Sequence, residues 1–383
     1  MECRRWSPYP IQYNAPLFKF LAESGKFKIK VFYTWGENSL NVFDPGFGKQ
    51  RSWDIDLLSG YDYLFVRNTS EDPGSHHYKG IINPDLIEKI NEFKPDTIIV
   101  YGWNFHAHLK IMRHFKNKIP ILFRGDSTLI DEKKGFSFKG FLRQQYLKWV
   151  YSNVDIALSP GTASDAYFEF VGLKQNQIVR AAHAVENNRF SLSFRAQREN
   201  PTTFLFAGKF EPKKNPLLLI RAFKKLYETN NNIHLVLVGD GVLKDEIINE
   251  LKQLSTINHQ QPHTLLPFQN QSQMPSVYQK GDIFVLPSQG PGETWGLAIN
   301  EAMASGCAVI ASDKCGGAKD LIEEGKNGYV FKSGDEDDLV DKMQCILENE
   351  RYVEMGKSAT EKIEHFTYHH FLVALSNVLR FKP

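Results

Sequence analysis

The hydrophobic positions of the chain form short continuous runs, separated by stretches with helical spacing. Such runs between amphipathic helices are typical of parallel strands buried on both faces of a sheet. In the first half, the runs predicted as strands are KIKVFYTW, DYLFV, DTIIVYG, IPILFRG and VDIALSP. In the second half, they are TTFLFAG, IHLVLVGDG, HTLLPF, DIFVLPS, CAVIAS and NGYVF. One set of strands per half predicts an α/β protein with two doubly wound, Rossmann-like domains.

A polar, non-periodic stretch, Glu186–Thr203, separates the two sets of strands. We predict an N-terminal domain over residues 1–188, a second domain over 189–366 and a terminal helix within 367–383. A chain of 383 residues agrees with this division, because it is longer than one hydrophobic core usually serves. At the N-terminus, loop-like residues pass directly to a helix near 15–24, so the usual first strand is missing or replaced.

Composition argues against several classes of protein. The 46 lysines and arginines nearly balance 44 acidic residues, whereas a nucleic-acid-binding protein would show a strong basic excess. The four cysteines form no CxxC pair, so we expect no disulfide framework or structural zinc, and a cytoplasmic location. No segment approaches the roughly 18 apolar residues of a membrane span. We also expect no signal peptide, since MECRRWSPYP is polar and broken by proline.

Two glutamates, Glu293 and Glu301, lie at the beginning of a helix predicted over residues 294–304, with Gly306 as its terminator. On one helix axis they would be roughly 12 Å apart. Glycosidase acid–base pairs are about 5 to 9.5 Å apart, so these carboxylates would contact different parts of one extended ligand. A buried helix with one capping and one surface glutamate explains the same pattern.

The beginning of this helix is a predicted anion site, because free amides and the helix dipole both favour negative charge there. We therefore predict a diphosphate at the helix end, a sugar near Glu293 and hydroxyls, such as those of a ribose, near Glu301. Gly296 has no side chain to obstruct the phosphate. The backbone amides predicted to point outward belong to Thr294, Trp295, Gly296 and Leu297.

Basic and glycine-rich strand ends extend this predicted ligand site. One strand ends at Gly208 and is followed by Lys209, Lys213 and Lys214, whose charges can neutralise a diphosphate leaving group. The next strand ends in VGDG, which contains Gly239, and CGGAKDLI precedes a later helix. Each lysine is also explained by a solvated basic turn, and an isolated glycine pair is a weak signal.

The first half offers less specific candidates. Residues 132–150, EKKGFSFKGFLRQQYLKWV, interleave basic and aromatic side chains. Such a helix can lie on an anionic membrane surface, or it can pack its aromatic rings on the sheet with its lysines in water. Arg124 and Asp126, in FRGDST, are candidates for contact with an acceptor. The pairs His76–His77 and His369–His370 predict no metal site, since adjacent histidines are expected to point in different directions.

The second half resembles the nucleotide-binding domain of retaining glycosyltransferases of family 4. The resemblance extends over Phe204–Phe331, through FAGKFEPKKN, VGDG, DIFVLPS, GETWGLAINEAMASGCAVIASDKCGG and NGYVF. It implies the GT-B fold, in which two Rossmann-like domains face a cleft and a terminal helix, here within 367–383, crosses back to the first domain. The first half is similar more weakly, to bacterial surface-polysaccharide members, through PIQYNAPLFKFL, DTIIVYGW and the stretch Trp53–Tyr61.

The resemblance implies a role for each matching residue. Glu293 would lie by the donor sugar, where it belongs to the catalytic group with Lys209 and Lys214. Glu301 would bind the ribose. The two lysines would hold the diphosphate, assisted by the backbone amides of Trp295, Gly296 and Leu297.

Two positions depart from the family pattern. Asp320 stands where a glutamate is usual, and its side chain is one methylene shorter. Tyr101 stands where the family often has a histidine that reaches into the sugar site, and His106, one turn further, is a candidate substitute.

The implied activity is a metal-independent, retaining transfer of a sugar from a nucleotide-sugar donor to a glycan or a lipid-linked acceptor, with no separate cofactor. Negative charge develops on the departing diphosphate, so donors aimed at it stabilise the transition state more than the ground state. Two alternatives stay open: a sugar-nucleotide epimerase on the same fold, and a catalytically weak partner subunit. The missing first strand and Tyr101 keep the second alternative open, because either could impair binding of the donor or the acceptor.

Overall fold

The computed structural model describes residues 9–40, 42–44, 49–51, 53–132, 135, 137–191, 201–254 and 261–380. In chain order, the helices are α1 (Ala15–Glu23), α2 (Leu86–Phe93), α3 (His106–Phe115), α4 (Phe138–Tyr151), α5 (Thr162–Phe170), α6 (Asn187–Ser191), α7 (Pro216–Thr229), α8 (Lys244–Leu254), α9 (Met274–Tyr278), α10 (Leu297–Ala304), α11 (Ala318–Leu321), α12 (Glu336–Leu347), α13 (Arg351–Ile363) and α14 (Tyr368–Arg380). The strands are β1 (Lys30–Tyr33), β2 (Val42–Asp44), β3 (Lys49–Arg51), β4 (Asp62–Phe65), β5 (Ile98–Tyr101), β6 (Ile121–Arg124), β7 (Ile156–Ser159), β8 (Ile178–Arg180), β9 (Thr202–Ala207), β10 (Ile233–Val238), β11 (His263–Leu266), β12 (Ile283–Leu286), β13 (Ala308–Ser312) and β14 (Gly328–Phe331).

The first of two compact units contains residues 9–42, 56–182 and 368–380 of the described chain. Its main sheet has four parallel strands in the order β5-β6-β7-β8, and β1 and β4 form a separate parallel pair. The core is aromatic: the ring centroids of Phe123, Tyr151 and Phe168, from β6, α4 and α5, lie 5.2 to 6.1 Å apart. Burial of such large side chains holds the helices on the sheet.

Helix α14 groups with this first unit, although it follows the second unit in the sequence. The ring of Tyr368 lies 5.9 Å from that of Phe20, which belongs to α1. The guanidinium of Arg124 lies 5.3 Å from the centre of the Phe371 ring. These contacts join the terminal helix to both the first helix and the sheet of the unit.

The second unit contains Phe43–Ile55 and His183–Thr367. Its sheet has six parallel strands in the order β11-β10-β9-β12-β13-β14. From β9, the strands β10 and β11 follow on one side of the sheet. The chain then returns to place β12 on the other side of β9, followed by β13 and β14, so the direction of strand addition reverses between β9 and β12. In open α/β sheets, ligands bind outside the carboxyl ends of the strands at such a switch point.

Each of the apolar runs predicted as strands contains an observed strand, and the helix predicted near residues 15–24 is observed as α1. The α/β class is therefore confirmed. Three short strands were not predicted: β2, β3 and β8, which have three residues each. A run of three residues carries too little periodicity to stand out from a loop.

The segment Phe43–Ile55 groups with the second unit, which its position in the sequence did not indicate. The carboxylate of Asp54 accepts hydrogen bonds from the backbone N–H of Ser272, at 3.0 Å, and from the hydroxyl of the same serine. The backbone N–H of Asp54 also donates to the side-chain oxygen of Asn270, at 3.4 Å. Two further changes of unit fall between residues 182 and 183 and between residues 367 and 368.

Candidate functional site

The loops that follow β9 and β12 meet at the switch point of the second unit. After β9 come Gly208 and Lys209, and then a short 3-10 helix, Pro212–Lys214. Gln289, in the loop after β12, donates its backbone N–H to the carbonyl of Lys213 at 2.9 Å. Its side-chain amide donates to the carbonyl of Pro212 at 2.7 Å. The two loops are thus fixed to each other by hydrogen bonds.

Lys214 and Glu293 form an ion pair across these two loops. Both side chains are largely withdrawn from water, with 15% and 3% of their surfaces exposed. The hydroxyl of Ser288 donates to the same carboxylate oxygen of Glu293, at 2.9 Å. A buried carboxylate needs such partners, and they hold the lysine ammonium in one place at the carboxyl edge of the sheet. Ser288 was not predicted from the sequence.

The helix predicted over residues 294–304 begins later, at Leu297, and it ends at Ala304 as expected. Gly296 precedes it with φ 92°, a left-handed conformation that a residue with a side chain rarely adopts. Glu293 therefore lies in the loop before α10, and the axial distance calculated for one continuous helix does not apply. Gly296 offers no side-chain cap to the first amides of the helix, which include that of Leu297.

Hydrogen bonds of the Trp295 side chain fix the turn before α10. Its indole N–H donates to the side-chain oxygen of Asn300 at 2.8 Å, and the Asn300 amide donates to the carbonyl of His183 at 3.1 Å. The rings of His183 and Trp295 lie 5.7 Å apart. The side chain of Trp295 is therefore structural, while its backbone amide stays a predicted ligand contact. Neither Asn300 nor His183 carried a motif that singled it out.

The glycine pair of CGGAKDLI supports the same turn from a third strand end. Gly316 donates its backbone N–H to the carbonyl of Glu293, and Gly317 donates to the carbonyl of Trp295, both at 2.9 Å. The thiol of Cys315 lies beside them. Burial, and then the charge of Glu293, raises the pKa of Cys315 to about 12. These amides hold the loop of Glu293, a role that glycine spacing alone did not indicate.

Glu301 is buried within α10, with 2% of its surface exposed. One of its carboxylate oxygens accepts a hydrogen bond of 2.7 Å from the hydroxyl of Tyr278. The ring of Tyr278 packs against those of Phe190 and Phe284, at centroid distances of 5.9 and 5.6 Å. Tyr278 therefore positions the carboxylate that the sequence assigns to the ribose.

Gly239 allows close packing of the loops after β9 and β10. Its φ is 157°, and a Cβ atom on it would overlap the carbonyl oxygen of Gly208. Gly208 donates its backbone N–H to the carbonyl oxygen of Val238 at 3.0 Å. A Cβ atom on Gly208 would make only an ordinary contact of 3.4 Å with the ring of Phe206. Packing thus explains Gly239, whereas Gly208 stays a predicted ligand contact.

Two acceptor candidates of the first unit have structural partners. Arg124 is 2% exposed, and its guanidinium donates to the carbonyls of Leu158, at 2.9 Å, and Ala181. Burial lowers the pKa of Arg124 to about 10. Asp126 is also buried. Acceptor contact by Arg124 would therefore require these hydrogen bonds to be rearranged, and for both residues it stays a prediction.

The other two acceptor candidates, Tyr101 and His106, lie near the carboxyl end of β5. The ring of Tyr101 lies 5.6 Å from that of Phe18, and burial raises the pKa of Tyr101 to about 12. His106 begins α3, and its ring lies 5.9 Å from that of Tyr78. The Nδ1 atom of His106 is buried and has no hydrogen-bond partner among the described residues.

Helix α4 turns most of its aromatic residues away from the sheet. Its buried side chains are Leu147, Val150 and Tyr151. The expectation that the aromatic residues of this stretch pack on the sheet is therefore wrong for four of them, which are exposed: Phe138, Phe141, Tyr146 and Trp149. Other members of the predicted basic and aromatic stretch lie outside the described residues: Lys133, Lys134 and Phe136.

We expected the adjacent histidines His76 and His77 to point in different directions, and this expectation is wrong. Their Nε2 atoms lie 2.9 and 3.4 Å from the same carboxylate oxygen of Asp72. The chain turns so that both imidazoles face this carboxylate, which neighbouring positions do not predict. The Nε2 atom of His77 also lies 2.9 Å from the backbone carbonyl oxygen of Asp72. The three side chains are close enough to hold a metal ion, and the absence of a metal requirement stays a prediction.

Residues 188–362, which contain Lys209, Lys214, Glu293 and Glu301, match the family described as glycosyl transferases group 1. The chain is 31% identical over 286 residues to the lipopolysaccharide 1,2-N-acetylglucosaminetransferase of Salmonella typhimurium, with coverage of 70% of this chain and 67% of that protein. The chain belongs to the glycosyl transferases group 1 family. It spans 57% and 67% of the lengths of the first two curated relatives that it matches.

Two solved structures share the architecture. The apo form of the lipopolysaccharide outer core galactosyltransferase WaaB aligns with a TM-score of 0.70 at 18% identity, over 98% of this chain and 97% of that one. Anabaena HepE in complex with UDP aligns with a TM-score of 0.64 at 19% identity, over 84% and 86%. This family member thus has the GT-B fold, with two Rossmann-like units. None of its described helices has the length and apolar character needed to cross a membrane.

Proposed function

We propose that this family member is a retaining glycosyltransferase that moves a sugar from a nucleotide-sugar donor to a glycan or lipid-linked acceptor. The observation that carries the proposal is the buried Lys214–Glu293 pair beside the glycine-led start of α10, at the switch point of the second sheet. A lysine, a carboxylate and open helix amides in one place can bind a diphosphate and the sugar attached to it. No second function has a specific observation in its favour.

In the proposed reaction, an acceptor hydroxyl forms a bond to the anomeric carbon of the sugar as the bond from that carbon to the β-phosphate oxygen breaks. The nucleoside diphosphate leaves with added negative charge and takes up the proton of the acceptor hydroxyl. Lys214 and Lys209 would lie on that charge together with the first amides of α10. Ser288 and Glu293 hold the Lys214 ammonium before the donor arrives. A preorganised donor of this kind stabilises the transition state without having to be reoriented during the reaction.

Glu293 and Glu301 would divide the donor between them. Glu293 lies next to the lysine that would receive the diphosphate, which supports a position for Glu293 near the sugar. Glu301, further along α10 and held by Tyr278, would accept hydrogen bonds from ribose hydroxyls. Anabaena HepE was solved with UDP, which supports a uridine nucleotide as the first donor to test.

The acceptor is proposed to be a growing glycan or a lipid-linked sugar. The support is indirect: the names of two similar proteins specify lipopolysaccharide. The cytoplasmic location, with contact at the inner membrane surface, is proposed together with the acceptor and rests on the sparse cysteines and on the basic, aromatic stretch of residues 132–150.

A thermal-shift panel with UDP, GDP, ADP and CMP tests the donor site. We expect one nucleoside diphosphate, at about 100 times its Kd, to stabilise the protein by about 2.7 kcal/mol, because it binds only the folded state. The melting temperature should rise by several degrees, and Glu301→Gln should abolish most of the rise while the unliganded protein still melts cooperatively. In the matched control Tyr278→Phe, the ring stays packed and the shift should be reduced but retained. If no nucleotide moves the melting temperature of the unaltered protein, the proposal is wrong.

Product stereochemistry, followed by proton NMR in the presence of EDTA, tests the mechanism. We expect transfer to continue at an undiminished rate, because lysines and helix amides take the place of a metal at the diphosphate. The anomeric configuration of the product should match that of the donor. Activity that is lost in EDTA and restored by Mg²⁺, or an inverted product, would contradict the mechanism. Conversion of the donor to an isomer without an acceptor would identify an epimerase instead.

A further inference from the structure

A basic depression lies on the exposed side of α3 in the first unit, and nothing in the proposed donor chemistry uses it. Its volume is about 380 Å³, within the range of small-molecule clefts. Five of its six side chains recur at helical spacing along α3, so they share one face of the helix. The lining residues are Tyr78, His106, Leu109, Lys110, Arg113 and His114.

The side chains that line the depression include hydrogen-bond donors and no carboxylate. Lys110 and Arg113 are exposed and carry positive charge. Burial, followed by the charges of Lys118 and Lys110, lowers the pKa of His114, so its imidazole experiences positive potential from its neighbours. The buried Nδ1 of His106 has no hydrogen-bond partner among the described residues, and Leu109 is a buried apolar member of the lining. These groups match a phosphate, which accepts several hydrogen bonds and carries negative charge.

The exposed face of α4 is largely apolar and is bordered by lysines, with the exposed Gln145 as a polar residue within it. At about 100° per residue, five large side chains fall within about 140° of the helix circumference. The exposed fraction rises from 43% at Tyr146 to 69% at Phe138. Lys139 and Lys148 lie at the two borders of this stripe and are exposed. The five members of the stripe are Phe138, Phe141, Leu142, Tyr146 and Trp149.

The depression and the stripe are adjacent. The guanidinium carbon of Arg113 lies 5.4 Å from the centre of the Trp149 ring. The ring of Tyr146 in turn lies 5.6 Å from that of Trp149 and 5.9 Å from that of Trp103. An aromatic stripe bordered by lysines is the composition of a helix that lies in the headgroup region of a bilayer.

We propose that the first unit docks on a membrane through the α4 stripe and that the α3 depression holds the phosphate of a lipid in that membrane. The positive charges of the depression favour an anion, and the adjacent apolar rings favour a lipid as its source. A soluble anion would leave these rings exposed to water, whereas a membrane would cover them. This proposal deepens the proposed function, on which it rests, since it places the protein where a lipid-linked acceptor is found. It does not depend on which nucleotide the second unit binds.

Co-sedimentation with vesicles tests the docking. We expect the full chain to sediment with phosphatidylcholine vesicles that contain 30 mol% phosphatidylglycerol, and to bind pure phosphatidylcholine at least 10-fold more weakly. The double variant Lys110→Gln/Arg113→Gln should weaken binding to the mixed vesicles by at least 10-fold. Lys332→Gln/Lys357→Gln is the matched control, because it removes two lysines of the second unit that are 75% and 66% exposed. Its binding should change by less than 2-fold.

A second variant separates the stripe from simple charge attraction. Phe138→Ser/Trp149→Ser keeps every charge. We expect the unaltered protein to stay bound to vesicles in high salt, because burial of apolar rings is not screened by ions, and we expect this variant to dissociate under the same conditions. Titration of the unaltered protein and of Lys110→Gln/Arg113→Gln with inorganic diphosphate distinguishes the lipid source from a free anion, because diphosphate bound at the donor site should not be affected by this variant. Tight diphosphate binding that the variant abolishes, together with no vesicle binding, would overturn the docking proposal, as would equal vesicle binding by the two charge variants. The nucleotide thermal shift of the same variants should be unchanged, which distinguishes this proposal from a failure of the donor site.

Discussion

Lys214→Met is expected to lower kcat by about 100- to 1,000-fold, the loss typical for one preorganised donor at a developing negative charge. The substitution also leaves the Glu293 carboxylate buried without its cation. Breaking a buried pair in this way costs about 3 to 5 kcal/mol of stability, so the melting temperature should fall as well. Steady-state kinetics and thermal unfolding measure the two effects separately.

The double variant Lys214→Met/Glu293→Gln distinguishes catalysis from stability. It removes the unpaired charge, so most of the lost melting temperature should return while transfer stays low. Lys213→Met is the matched control: this neighbouring lysine pairs with Glu211 at 3.5 Å, and its loss should change kcat by less than 3-fold. If Lys214→Met transfers sugar at the unaltered rate, the lysine has no part in the chemistry.

Gly239→Ala is expected to prevent stable folding of the second unit. The added Cβ would overlap the carbonyl oxygen of Gly208, and the φ of 157° is unfavourable for alanine. The added Cβ is attached to backbone at the end of one strand, and the Gly208 carbonyl belongs to backbone at the end of the neighbouring strand. Neither backbone can move without disrupting the sheet. A loss above about 4 kcal/mol of unfolding free energy is the scale of such a clash. Chemical denaturation followed by circular dichroism measures it.

Gly208→Ala is the matched substitution on the other side of the same contact. Its Cβ would meet only the Phe206 ring, at 3.4 Å, so the protein should fold with nearly unchanged stability. If phosphate oxygens approach the backbone at this loop, nucleoside diphosphate binding should weaken by about 10-fold. Gly239→Ala with normal stability would show that packing does not explain this glycine.

Most of the fold follows from the sequence because buried parallel strands leave a direct signature. Their runs are apolar on both faces, so β9, β12 and β13 were visible without any knowledge of tertiary contacts. The reversal between β9 and β12 was not visible, because strand order depends on which side of the sheet each crossover takes. That reversal explains why loops distant in sequence share one site.

The candidate site was only partly predictable. Glu293 and Lys214 could be chosen because charged residues at strand ends are chemically informative, but their ion pair depends on two loops meeting. Tyr278 and Asn300 lie within ordinary helical sequence, and their roles appear only through the atoms that they contact. The late beginning of α10 follows from the left-handed turn at Gly296, since glycine allows that turn and does not require it.

The aromatic stretch of α4 was ambiguous for a different reason. Aromatic residues occupy both sides of this helix, since Tyr151 is buried and Trp149 is exposed. Helical spacing identifies a buried face only when the apolar residues lie on one side. Here the sheet selects one side by contact, and the other remains exposed.

The grouping of the chain into units also constrains the order in which it can fold during synthesis. The first unit includes α14, yet residues 183–367 of the second unit are translated before that helix. A ribosome-bound chain therefore has an incomplete first unit while the second unit is being made. In that state, the surface of α1 that contacts Tyr368 and the surface of β6 that contacts Phe371 are uncovered. Domains usually fold in the order of their synthesis, but here we expect the first unit to be completed after the second. Nascent chains that end before residue 368 should therefore be the most sensitive to proteolysis in their first unit.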